Sequence, residues 1–126
     1  MWTNVLIKGE VMSNKHFVTW QEVTQFVDVV ASKLQVDAVK GIYGIPRGGL
    51  IFAVLLSHKL NKPLLMAPCE GCVIVDDIAD TGKTLQHYDE EGYTIVTMFY
   101  HQQSLVKPNF YMYEKTDKWI VYPWEV

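Results

Sequence analysis

Little in this sequence points toward nucleic acid, lipid or a membrane. Lys and Arg number 11 against 14 Asp and Glu, a formal net charge of −3. There is therefore no basic excess to draw the chain onto phosphate backbones or anionic lipid. No apolar run approaches the roughly 20 residues needed to cross a bilayer. The N-terminus lacks the basic stretch and apolar core of a signal peptide, so a cytoplasmic protein is expected. Cysteine is scarce, and Cys69-Glu-Gly-Cys72 holds both residues. A CxxC pair is either redox-active or half of a zinc site. A structural zinc site takes four ligands, and no second pair exists. The plainer reading is two small residues flanking a Glu-Gly turn. Internal repeats and low-complexity tracts are also missing.

What is present suits one domain with a real core, at 126 residues. Hydrophobic residues make up 49% and charged residues 20%, the proportions of an ordinary globular chain. Met1–Val11 reads as an extension, because a second start, Met12-Ser13, precedes the first clear element. The expected division is an extension over 1–12 and a domain over 13–126.

Thr19-Trp-Gln-Glu22 has the form of a capping box, and Trp20, Val23, Phe26, Val27, Val30 and Leu34 follow at helical spacing. A helix is predicted over about Thr19–Leu34. Ala38–Tyr43 is a short β-rich run, broken by Gly44-Ile-Pro-Arg-Gly-Gly49. Leu50–Leu60 is apolar enough for a buried helix. Strands are predicted at Pro63–Pro68, Val73–Val75, Thr94–Tyr100 and Phe110–Tyr113, with a short helix opening at Thr84–Tyr88. Strands alternating with helices predict an α/β fold: a mostly parallel, twisted sheet flanked by helices on both faces.

The chemistry concentrates in Val73-Ile-Val-Asp-Asp-Ile-Ala-Asp-Thr-Gly-Lys-Thr-Leu85. An apolar strand ends in two adjacent acids, and a loop rich in Thr and Gly leads into a helix. Ligands of open α/β sheets bind at the carboxyl ends of strands. A loop entering a helix there offers backbone N–H groups and a positive dipole end to a phosphate. Thr81 and Thr84 add hydroxyls, and Gly82 permits close approach. Acids beside a phosphate cradle repel the ligand unless they grip neutral hydroxyls or a divalent cation. The pattern therefore suggests a sugar phosphate. Gly82-Lys83-Thr84 is not a P-loop, because that motif needs Gly where Asp77 stands. A solvated acidic turn without a ligand is the plain alternative.

Val73–Leu85 resembles the motif with which type I phosphoribosyltransferases bind 5-phosphoribosyl-1-pyrophosphate (PRPP). Gly44-Ile-Pro-Arg-Gly-Gly-Leu50 resembles the pyrophosphate loop of that family. Trp119-Ile-Val-Tyr-Pro-Trp-Glu125 resembles the C-terminal base-binding segment of xanthine-guanine phosphoribosyltransferases, and Phe17-Val-Thr-Trp20 resembles their beginning. The likeness covers most of Ser13–Val126, in order.

The resemblance implies a set of roles. Asp76 and Asp77 would hold the ribose hydroxyls and Mg2+. Asp80 would contact the purine N7 and exchange a proton there. Ala79, Asp80, Thr81, Gly82, Lys83 and Thr84 would hold the 5′-phosphate. Arg47, Gly48 and Gly49 would take the pyrophosphate, and a guanidinium suits that task because it is always charged and can bind two oxygens. Asp80 and Arg47 are thus the candidate catalytic residues. The bond joining Pro46 to Arg47 would be cis with ligand bound. Trp119 would stack on the purine and Ile120 read its exocyclic group through the backbone. The implied partners are PRPP and a purine base, on a homodimer or homotetramer. Plainer readings exist for two of these, a surface arginine at Arg47 and a core tryptophan at Trp119, and His101, after the strand expected at Thr94–Tyr100, is either a base contact or a plain loop residue.

Two departures from the family pattern stand out. Purine enzymes carry a lysine after the strand that follows the PRPP motif, where it bonds the 6-oxo group; here His101 takes its place. Neutral imidazole still donates one hydrogen bond, but without a fixed charge. The family also inserts a long mobile loop between the strands expected at Pro63–Pro68 and Val73–Val75, where only Cys69-Glu-Gly-Cys72 stands here. Four residues cannot make a lid of that kind. Three functions remain open: a 6-oxopurine phosphoribosyltransferase, one for another base, or a non-catalytic module binding PRPP or a nucleotide. His16, His58 and His87 have no motif context.

Overall fold

The first helix begins where the capping residues place it. The Thr19 N–H donates to Glu22 Oε1 at 3.0 Å, and the Glu22 N–H donates to Thr19 Oγ1 at 3.1 Å. Two amides that the helix itself cannot pair are satisfied reciprocally. In the computed structural model residues 14–125 are described; the expected extension lies outside them. The elements run β1 (Lys15–Phe17), α1 (Trp20–Lys33), β2 (Gly41–Gly44), α2 (Leu50–Leu60), β3 (Cys72–Ala79), α3 (Gln86–Glu90), β4 (Thr94–Tyr100), β5 (Tyr113–Glu114) and β6 (Trp119–Val121). Single 3-10 turns lie at Val36–Ala38 and Pro123–Glu125.

The described residues divide into two compact units: residues 14–23 with 116–125, and residues 24–115. In the first, β1 and β6 pair in parallel, His16 opposite Ile120, and the Val18 N–H donates to Val121 O at 2.8 Å. Trp124 stacks on Tyr122, ring centroids 5.1 Å apart, and meets Trp20 at 5.6 Å.

In the second unit β2, β3, β4 and β5 form a sheet in that order, every pair parallel. Cys72 to Val75 in β3 and Ile95 to Phe99 in β4 are buried without a break. Continuous burial of this kind belongs to a parallel sheet covered on both faces. From α2, Phe52, Ala53, Leu56 and Leu60 are buried, and the Phe52 ring meets Phe26 of α1 edge-on at 5.5 Å. Cys72, Ile74, Ile95 and Leu85 form one cluster with Tyr88 of α3 and Tyr93 against it. Asn61, left-handed at φ 54, closes α2. The Lys59–Asp28 ion pair at 3.1 Å is exposed and contributes little.

Several element bounds differ from expectation. Pro63–Pro68 is no strand; Leu64 alone bridges Ile42. Two prolines remove donors from this six-residue run, which confines it to an edge contact. Phe110 likewise makes one bridge, to Val96, and the strand proper starts at Tyr113. Strand β2 starts only at Gly41, after the 3-10 turn, and α3 starts at Gln86. Most consequential, β3 does not stop at Val75 but continues to Ala79.

Phe52 is fully buried. Phe52→Ala is expected to lower the unfolding free energy by about 3–5 kcal/mol, read as a shifted midpoint in urea titration.

Candidate active site at the carboxyl end of the parallel sheet

The extra length of β3 sets the site. Asp76 pairs in register with Thr97 of β4, and Ile78 with Phe99, so both acids stand within the sheet rather than beyond it. Ahead of them, the chain leaves β2 with the Ile45 N–H donating to Val75 O at 2.9 Å. It then turns through Pro46, Arg47, Gly48 and Gly49 into α2, with the Gly49 N–H bonded to Ile45 O at 2.9 Å. The Pro46–Arg47 peptide is cis. A side chain on Gly49 would overlap the Val75 carbonyl oxygen. One on Gly48 would come within 2.5 Å of Asp77 Cγ and Oδ2. The glycine turn thus lies directly on the acid pair, and Arg47 is exposed at its tip.

Asp76, Asp77, Asp80, Thr81, Gly82 and Thr84 line one cavity of about 170 Å³. Gly82 has φ +82, and a Cβ there would meet Ser104 Oγ at 2.5 Å and the amide nitrogens of Leu105 and Val106 at 2.7 and 2.8 Å. The loop after β4 therefore clasps the cradle from outside, and the Leu105 N–H donates to Thr81 O at 2.8 Å. The Lys83 N–H turns inward to Thr81 Oγ1 at 3.3 Å, whereas the N–H groups of Thr81, Gly82 and Thr84 find no acceptor among the described residues. Clustered unpaired amides in a tight loop are suited to an anion. Ala79 is buried in β3, and the Lys83 side chain is exposed. Ser104 and Leu105 were invisible to motif reading, since neither carries a signal in the sequence after β4.

The acids carry a strong field. Burial, and then the charge of Asp77, pushes the Asp76 carboxyl up to about 8. The Asp77 N–H donates to Asp76 Oδ1 at 2.8 Å. Asp80 Oδ1 is buried without a partner among the described residues. Among those residues no cluster of three or more side chains suited to a metal occurs. Two carboxylates with free space beside them nonetheless fit Mg2+, which keeps waters and takes further oxygens from a phosphate ligand. A cation there would offset the repulsion that raises Asp76.

His101 follows β4 and is tied to the site through its N–H, which donates to Ala79 O at 2.9 Å. Its Nδ1 accepts from the Gln103 N–H at 3.1 Å, so the neutral ring carries its proton on Nε2. Trp119 and Ile120 belong to β6 in the other unit. Trp119 is 70% exposed, which removes the reading of a core tryptophan, and its N–H donates to Asn14 O at 2.9 Å.

No protein-family model matches the chain. Xanthine-guanine phosphoribosyltransferase of Idiomarina loihiensis is 24% identical over 145 aligned positions, covering 90% of this chain and 89% of that one. Its counterpart in Vibrio vulnificus is 26% identical over 141, covering 91% and 92%. Both alignments are longer than this whole chain, so both relatives carry insertions. A crystal structure of purine phosphoribosyltransferase from Pyrococcus horikoshii is 34% identical, with a TM-score of 0.77, covering 90% of this chain and 95% of that one. The chain belongs to the purine phosphoribosyltransferases. Its fold is that of the type I phosphoribosyltransferases, and its enzyme class is the pentosyltransferases. The coverage values make the archaeal phosphoribosyltransferase similar to this one in length. Among the described residues no helix is long and apolar enough to cross a membrane.

Two outcomes test the geometry. A carboxyl raised in the folded state holds a proton that the unfolded chain releases between the ordinary carboxylate range and about 8. Stability of the ligand-free protein should therefore fall as pH rises through that window. Melting curves across it should show the decline, and Asp76→Asn should flatten it.

The two glycines should also separate. Gly49→Ala meets backbone and should lose about 1–3 kcal/mol. Gly48→Ala meets the Asp77 side chain rather than backbone, so it should cost measurably less than Gly49→Ala. Urea denaturation of both variants measures this.

Proposed function

We propose that this enzyme transfers ribose 5-phosphate from PRPP to a 6-oxopurine (guanine, xanthine or hypoxanthine), with release of pyrophosphate, and that residues 13–126 are the domain responsible. The observation that carries the reading is the contact of Gly48 with the Asp77 carboxylate. It joins a backbone turn suited to a diphosphate to an acid pair suited to a ribose, as a substrate bearing both groups requires.

The residues divide the work by charge. The unpaired amides of Thr81, Gly82 and Thr84, with the Thr hydroxyls, take the 5′-phosphate, helped by Lys83. Asp76 and Asp77 accept hydrogen bonds from the ribose hydroxyls. Their negative charge also lies near a sugar carbon that becomes positive as its bond to pyrophosphate lengthens. Arg47, with the backbone at Gly48 and Gly49, stabilises the departing diphosphate. Asp76 and Asp77 would hold Mg2+, which when bound would supply positive charge to that leaving group. Asp80, whose Oδ1 is buried without a partner among the described residues, would accept the proton of an incoming purine nitrogen. His101, with its proton on Nε2, donates to a 6-oxo group but has no acceptor for a 6-amino group. Exposed Trp119 offers a stacking face worth roughly 1–3 kcal/mol, with Ile120 beside it to read the base through its backbone.

A second reading, a binding module without turnover, draws on the four-residue turn Cys69–Cys72. This turn enters β3 at its amino end. Asp76 lies four residues further on, about 13 Å at the rise of a strand, so the turn cannot cover the site. Against that reading stands a purine phosphoribosyltransferase of similar length from an archaeon. A cytoplasmic homodimer or homotetramer is the assembly we expect.

The test is a panel of bases assayed with PRPP and Mg2+. Nucleotide should form with 6-oxopurines and not with adenine. Some PRPP should be lost to free ribose 5-phosphate, because water reaches the open site. Asp77→Asn should weaken PRPP binding about tenfold or more, the loss of one charge-assisted contact. Tight PRPP binding with no nucleotide from any base would favour the binding module.

A further inference from the structure

Cys69 and Cys72 take no part in the chemistry above. They occupy the first and last positions of a turn closed by the Cys72 N–H donating to Cys69 O at 3.1 Å. Gly71 has φ +85, the conformation that a type II turn demands at its third position. Such a turn brings its end Cα atoms within about 7 Å, which overlaps the span of a disulfide. Gly71 sits against the stem of Lys40, where a Cβ would come within 2.5 Å of Cγ, so the turn is backed by neighbouring structure.

The two thiols differ in access. Cys69 is exposed, and Cys72 is 3% exposed in the core cluster with Ile74 and Tyr93. Cys72 also forms part of the wall of a cavity of about 770 Å³ at the amino end of the sheet, which Glu70, Gly71 and Tyr93 line as well. Burial, together with the neighbouring Cys69 thiol, pushes the Cys72 thiol up. An exposed attacking thiol beside a shielded partner is the arrangement that thiol–disulfide exchange uses.

We propose that Cys69 and Cys72 form a dithiol exchange site whose substrate is a low-molecular-weight disulfide. In the first step the Cys69 thiolate attacks one sulfur of the disulfide. A protein–small-molecule mixed disulfide forms and one small thiolate leaves. In the second, Cys72 gives up its proton and attacks Cys69 Sγ, releasing the second small thiolate and closing the Cys69–Cys72 bond. The protein dithiol is oxidised by two electrons, the reagent is reduced to two thiols, and the protons pass to those thiols through water. At about 13 Å from Asp76 along β3, this chemistry is independent of phosphoribosyl transfer.

The experiment uses the intact protein and glutathione disulfide, followed by intact mass and by peptide mapping. The parent should lose two hydrogens and release two glutathione molecules per chain, without a lasting adduct. Cys72→Ser should trap glutathione on Cys69, and Cys69→Ser should form no adduct. In the unmodified parent, limiting iodoacetamide should label Cys69 on the order of tenfold faster than Cys72; this reading does not depend on either variant folding. A stable adduct on the parent, equal labelling of both cysteines, or an unreactive Cys69 would each overturn the proposal.

Discussion

The Val75 carbonyl and Gly49 approach so closely that no side chain fits between them, and the rest of the site depends on that approach. The Ile45 N–H bonds the same Val75 oxygen, so the chain leaving β2 is held against β3 at the level where the acids begin. The turn can then lie on Asp77 only because Gly48 also lacks a side chain. Two glycines thus convert the end of a parallel ladder into a surface bearing backbone amides on one side and carboxylates on the other. The α2 helix begins at once and anchors the turn through buried Phe52, Ala53 and Leu56.

The price of this arrangement is electrostatic. Two carboxylates are placed side by side in a partly buried sheet, and burial raises Asp76 far above its ordinary range. The Asp77 N–H, donating to Asp76 Oδ1 at 2.8 Å, offsets only part of this. The amides of Thr81, Gly82 and Thr84 and the Asp80 oxygen carry the complementary deficits, donors without acceptors and an acceptor without a donor. A phosphate would supply acceptors to those amides, and neutral hydroxyls would supply donors to the acids, which is how acids and an anion cradle can coexist within nine residues.

Much of this was legible from the chain. Thr19 and Glu22 announce α1 through local bonding, and Leu50–Leu60 announces α2 through composition; both elements form where expected. The Asp76–Thr84 cradle was legible because its residues are contiguous. What escaped was non-local. The continuation of β3 through two acids runs past the strand end expected at Val75, and it occurs because β4 supplies paired partners as far as Tyr100. Pro63–Pro68 looked like a strand by apolar content, yet its prolines leave it one bridge. Ser104 and Leu105 clasp Gly82 from a segment some twenty residues away, and no spacing rule connects them. The tautomer of His101 likewise depends on the Gln103 amide, which only the folded turn brings to it.

The place of the Cys69–Cys72 turn separates recognition from enclosure. Every group proposed to grip PRPP in the residue 24–115 unit lies at the carboxyl ends of β2 and β3 or in the loops that follow them. The turn enters at the amino end of β3, with β3 and its partners between. Shortening that connection therefore removes no phosphate, ribose or diphosphate contact. What it removes is reach, because a strand length of about 13 Å separates it from Asp76. Recognition by these groups needs no closing element, whereas exclusion of water does. The two xanthine-guanine phosphoribosyltransferases align over more positions than this chain has residues, while the Pyrococcus horikoshii enzyme is similar to it in length. The contact of the glycine turn with the acid pair is set by backbone approach at two glycines, and the reach of the Cys69–Cys72 turn by its length.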